Sequence, residues 1–194
     1  MPVLELNCPG CGARVSASQK DCMYCHQPVV ITQFSDVASM PLPMVNKYAG
    51  TYKKCLAENP DDKDVNNAIA MCFLKLKLYD KALAAFELAM EDNFDNAETF
   101  FYAAVCVLKG RKPFLLVRAE IDKAMEYINA ALMIEERGLF YYFLAYIKYD
   151  YFYRKAFNVS PNYKQVLETA FQRGVSELDA NNLFALLGQV NPLV

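Results

Sequence analysis

Tyr79-Asp80-Lys81-Ala82-Leu83-Ala84-Ala85-Phe86-Glu87-Leu88-Ala89 is the stretch that decides how this chain is read. Ala82, Phe86 and Ala89 lie four and then three residues apart, so they share one face of a helix, with a small side chain on either side of an aromatic. The same spacing returns upstream at Tyr48, Tyr52 and Cys55, and downstream at Ala124, Ile128 and Ala131 and at Tyr163, Leu167 and Ala170. A second apolar set precedes each of the later three: Ile69, Ala70 and Phe73; Phe100, Ala103, Ala104 and Val107; and Tyr142, Ala145 and Tyr149. A helical pattern that keeps returning predicts stacked repeats, and it argues against a generic helical bundle.

These residues resemble the tetratricopeptide repeat (TPR), a helical hairpin of about 34 residues. The unit from about Lys63 to Asn96 carries the fullest match, with Phe94 where a proline is usual. The resemblance covers residues 46–194. It implies a mainly α fold, a TPR-like α-helical solenoid of about 3.5 repeats closed by a C-terminal capping helix over Asn181 to Val190. The first repeat lacks its first helix, which leaves a face for the preceding residues to cover. The third unit needs extra residues around Gly110 to Ala119, and Ser160-Pro161 signals the start of the last repeat's second helix.

In such solenoids the first helix of each repeat lines a concave groove. The resemblance therefore implies a partner-binding groove of Asn67, Met71 and Leu74, then Phe101, Val105 and Leu108, then Phe143 and Ile147. A lining this apolar suits an amphipathic helix or apolar peptide from a partner protein, or a second copy of the chain. The competing occupant is the chain's own end, through Leu183, Phe184, Leu186 and Leu187. One TPR subfamily clamps acidic tails. Asn67 falls on a clamp position, but Met71, Phe101 and Phe143 supply none of the bases that a clamp requires.

The chemistry sits at the other end. Cys8-Pro9-Gly10-Cys11 and Cys22-Met23-Tyr24-Cys25 are two CxxC pairs, enough thiolates for one tetrahedral zinc ion. This stretch resembles the short zinc-ribbon family over residues 8–25. The expected cofactor is a single structural Zn2+ held by Cys8, Cys11, Cys22 and Cys25, with no position left open for a catalytic water. His26, the only histidine, stands where Gly12 follows the first pair and reads as a neighbour of the site, not a ligand. Ala13–Ser16 and Val29–Thr32 read as strands, and residues 18–21 as a turn. Cys55, Cys72 and Cys106 lie singly among apolar helical residues and read as core.

The expected organisation is a zinc ribbon over 1–34, an extended linker over 35–45 containing Pro41 and Pro43, and a TPR-like domain over 46–194. The chain is 55% hydrophobic and 22% charged with net charge -2, so it folds and lacks the basic excess of a nucleic-acid binder. Glu5, Arg14, Lys20 and Asp21 cancel within the ribbon, which weakens the alternative of a nucleic-acid-binding adaptor acting through it. The aromatics and bases of Lys148–Lys155 read as a helix with one core face in preference to an RNA-stacking surface. No apolar run approaches the roughly 18 residues of a membrane span. The opening Met1-Pro2-Val3-Leu4-Glu5 has no secretory leader pattern, and the thiols suit a reducing cytoplasm. With no nucleophile elbow, phosphate loop or open metal site, the expected function is a non-enzymatic cytoplasmic protein–protein interaction scaffold.

Overall fold

The computed structural model describes residues 5–16, 18–91 and 93–193; Met1–Leu4, most of the opening read as leaderless, lie outside them. The chain divides into two compact units, Met1–Asn93 and Phe94–Val194. Both are built mainly of α-helical hairpins, the TPR-like class of architecture expected.

The first unit opens with two short antiparallel strands, β1 (Glu5–Asn7) and β2 (Arg14–Ser16), paired so that buried Leu6 faces buried Val15. The helices α1 (Phe34–Ala38), α2 (Leu42–Glu58), α3 (Lys63–Lys75) and α4 (Tyr79–Met90) follow. The 35–45 stretch, expected to be extended, is instead largely helical. Pro41 caps α2 and Pro43 sits in its first turn, where a missing amide proton costs nothing. Val29–Thr32 does not become a strand either. Only an isolated bridge, Asp21 to Pro28, precedes it. Asp62 starts α3 by accepting the Val65 amide at 2.9 Å. Helices α3 and α4 then form the hairpin predicted around Tyr79–Ala89, with Ala82, Phe86 and Ala89 all buried. Helix α1 packs on α3, and Lys75 Nζ donates to the Ala38 carbonyl at 2.5 Å.

The second unit holds α5 (Ala97–Leu108), α6 (Arg118–Ile134), α7 (Gly138–Ile147), α8 (Tyr163–Gln172) and α9 (Glu177–Leu187). Hairpins form between α5 and α6 and between α7 and α8. The extra residues between α5 and α6 carry a 3-10 turn, Pro113–Leu115, and α7 runs on into a π-helical turn, Lys148–Tyr153. These two turns pack together, and the Phe114 amide donates to buried Asp150 Oδ2 at 2.8 Å. Helix α8 begins just after the predicted Ser160-Pro161. Asn162 caps it by accepting the amides of Lys164 and Gln165, while Gln165 Oε1 takes the Asn162 amide. The last helix starts before the predicted Asn181, at a Ser176/Asp179 capping box that the sequence displays openly. It buries Leu183, Phe184 and Leu187, with the Phe184 ring 4.8 Å from Tyr146 on α7. Among the described residues no helix is long and apolar enough to cross a membrane.

Candidate metal centre

Cys8 and Cys11 flank the turn after β1, and Cys22 and Cys25 flank the turn after β2. The two turns are built alike. The Cys8 amide donates to the Ala13 carbonyl at 2.7 Å and the Gly12 amide to the Cys8 carbonyl at 2.8 Å. In the second turn the Cys22 amide donates to the Gln27 carbonyl at 2.9 Å and the His26 amide to the Cys22 carbonyl at 2.8 Å. Each turn closes through a residue with positive φ, Gly12 at 82° and His26 at 56°. A glycine adopts that conformation freely, and histidine is among the few other residues that tolerate it. His26 is exposed and takes the place of the missing glycine.

The four sulfurs all lie within 4.8 Å of one another, with Cys8 Sγ 3.5 Å from Cys25 Sγ and Cys11 Sγ 3.7 Å from Cys22 Sγ. Zinc–sulfur bonds of about 2.3 Å in a tetrahedron place sulfurs ~3.8 Å apart, so the donor set and its size fit one metal ion. Burial raises the Cys22 thiol, but the amides of Tyr24 and Cys25 and the thiols of Cys8 and Cys11 outweigh it and bring Cys22 down to about 7. At Cys25 the Gln27 amide lowers the value, yet desolvation and the neighbouring thiols together push it up to about 12. Gly10 closes over the centre: a β-carbon there would stand 3.0 Å from Cys25 Sγ.

The remaining cysteines are core residues. Cys55, Cys72 and Cys106 are buried, and burial pushes the Cys72 thiol up to about 12, which keeps it protonated and unreactive.

The residues expected to line a partner groove lie elsewhere and are covered. Asn67, Met71, Leu74, Phe101, Val105, Leu108, Phe143 and Ile147 are all between 0% and 8% exposed. The open groove expected of them is therefore corrected to packed interior. In the second unit, Phe101 packs 4.9 Å from Phe140 and 5.6 Å from Phe143, filling the space with the chain's own rings. Asp150, at the far end of the same row, is sealed by the Phe114 amide and by Arg154.

The surface left open is different. A cleft of about 630 Å³ lies among α6, α7 and α8, walled by Leu132, Met133, Tyr141, Leu144 and Val166. Met133 stands 89% exposed at its edge. The periodicity gave no sign of it, because these residues fall between the repeat positions. Also unanticipated were two buried hydroxyls on α2. Tyr48 donates to the Pro28 carbonyl at 2.9 Å, and Tyr52 pairs with both Val29 and Ile31. The readable signal was tyrosine in place of phenylalanine at core positions, since a buried phenol needs a partner.

No family model matches the chain, and no curated protein matches it. Among solved structures, MamA MSR-1 C2 is similar over 78% of this chain and 87% of that one, at 16% identity and a TM-score of 0.45.

Proposed function

We propose that the chain is a non-catalytic protein-interaction scaffold of the cytoplasm carrying one structural Zn2+ at Cys8, Cys11, Cys22 and Cys25. Four soft donors at tetrahedral spacing support zinc over the oxygen-seeking cations. Cys55 and Cys72, buried thiols outside the metal site, suit a reducing compartment.

The observation that carries the interaction reading is the apolar cleft beside Met133. A methionine standing in water at the lip of a leucine- and valine-walled groove favours docking of an apolar helix face or peptide from a partner protein. Glu136, Gln165 and Tyr141 supply polar edges that would set its register.

The test is Met133→Glu. The side chain is exposed at the end of α6, so the fold is kept while the cleft gains a charge. Loss of specific partners in affinity purification with mass spectrometry is expected. A partner set identical to wild type would overturn this use of the cleft.

A further inference from the structure

We infer that metal binding at the four cysteines holds the amino-terminal helical unit closed, so that the ribbon works as a metal-operated cap on α2. This goes beyond the scaffold reading but rests on its metal site.

The first repeat has no first helix, and residues 28–38 occupy the vacant face of α2 and α3. Val29, Ile31 and Val37 are buried there with Val45, Tyr48 and Tyr52 of α2. Residues 29–33 belong to no helix or strand, so little local structure fixes them. They are held from two sides. On the ribbon side, the Asp21–Pro28 bridge and the bond from the Val29 amide to the Lys20 carbonyl at 2.9 Å tie them to the turn of Cys22 and Cys25. On the helix side, the Tyr48 and Tyr52 hydroxyls donate to the Pro28 and Val29 carbonyls, and Tyr52 accepts the Ile31 amide at 3.1 Å.

A second link enters through the first turn. Lys47 Nζ on α2 donates to the Gly10 carbonyl at 2.7 Å. Gly10 itself lies against the metal site, where a β-carbon would stand 3.0 Å from Cys25 Sγ and 3.2 Å from Gln27 Cγ. The position of the carbonyl that Lys47 reads is therefore set by ligands from both turns.

The ribbon cannot maintain these contacts unaided. Among the described residues between Glu5 and Gln27, the buried apolar side chains apart from the ligands Cys8 and Cys22 are Leu6, Pro9 and Val15. So small an apolar core does not fold a module of this size without a metal. Metal loss frees the 28–31 segment, strands two buried phenols and uncovers α2. Coupling of this kind is reciprocal: whatever metal does for α2, the α2 contacts do for metal affinity, by the same factor.

The experiment uses the full chain with Zn2+ as the probe and a competing chelator to remove it. Amide hydrogen exchange is followed residue by residue, and Zn2+ affinity is measured for wild type, Tyr52→Phe and Lys47→Met. Tyr52→Phe keeps the ring and the fold but removes both hydroxyl bonds. Expected are faster exchange across α2 and α3 on Zn2+ removal, unchanged exchange across α5–α9, and Zn2+ binding weakened roughly five-fold or more in Tyr52→Phe. Three results overturn the proposal. If Zn2+ does not bind, the metal reading fails with it. If Zn2+ binds and protects residues 5–27 alone, the coupling fails while the metal site stands. If Tyr52→Phe binds Zn2+ as wild type does, the hydroxyls do not carry the link.

Discussion

The ribbon end of the first unit and the aromatic interior of the second meet one requirement, a fixed geometry, by opposite means. The described part of residues 5–27 holds its turns with four sulfurs and little more than the buried side chains of Leu6, Pro9 and Val15. The second unit holds α5, α7 and α9 with rings: Phe101 against Phe140 and Phe143, and Tyr146 against Phe184. Metal ligation fixes a few residues very strongly and depends on a cation and on deprotonated thiols. Ring packing spreads its stability over many contacts and depends on neither. The two ends should therefore fail under different treatments.

The largest effect expected is from Cys22→Ser. Structural zinc contributes about 10–16 kcal/mol in isolated zinc modules, so loss of one ligand should unfold the ribbon as a module. Metal content by mass spectrometry should fall from one ion per chain to none, and amide protection over residues 5–31 should vanish. The second unit should keep its protection. Concerted melting of both units would erase the contrast.

Phe101→Ala attacks the other side. Removing a fully buried ring costs about 3–5 kcal/mol through lost transfer energy and the cavity it leaves. Chemical denaturation should show that loss in the second unit, while Zn2+ stoichiometry stays at one. Only a small loss of stability would return Phe101 to the groove lining first expected of it.

That residue also marks where sequence reading stops. The CxxC pairs were legible because ligand spacing is local, and the turn holds both thiolates whatever surrounds it. The repeat register was legible at Ala82, Phe86 and Ala89 because small and aromatic side chains at fixed spacing record a helix crossing. Helical period shows that Met71, Leu74, Phe101 and Phe143 share an apolar character, but not what covers them. A face awaiting a partner and a face already packed need the same residues. What covers Phe101 comes partly from α7, some 40 residues on, and no local pattern encodes that. The Tyr48 and Tyr52 hydroxyl partners likewise sit about 20 residues upstream, in a segment without regular structure.

A smaller effect tests the stretch between these extremes, where the 3-10 turn meets the π-helical turn. Asp150 is buried and accepts the Phe114 amide as well as the Arg154 guanidinium. Asp150→Ala orphans that amide, at about 1–3 kcal/mol. Arg154 is 42% exposed and rehydrates, so it adds little. Denaturant midpoints should shift accordingly, with exchange rising first over residues 109–117. Wild-type stability would mean that the two turns are held by ring and cation contacts alone, such as Arg154 over Phe114 at 4.6 Å.

The smallest effect lies within the metal centre, where the two turns share hydrogen bonds but not residues. Gly12 and His26 both close their turns at positive φ. A non-glycine residue costs about 1–2 kcal/mol in that region, while a new glycine costs about 0.5–1 kcal/mol by loosening the unfolded chain. The first term exceeds the second, so His26→Gly should stabilise the metal-bound ribbon by a fraction of a kcal/mol up to about 1 kcal/mol. Gly12→Ala should destabilise it by a similar amount, because the strain it adds exceeds the unfolded-chain entropy it removes. The measurement is Zn2+ affinity for both variants. Opposite signs would establish that the turns are equivalent in backbone and that His26 serves as a substitute glycine. Weakened binding in His26→Gly would instead give the imidazole a role of its own beside the thiolates.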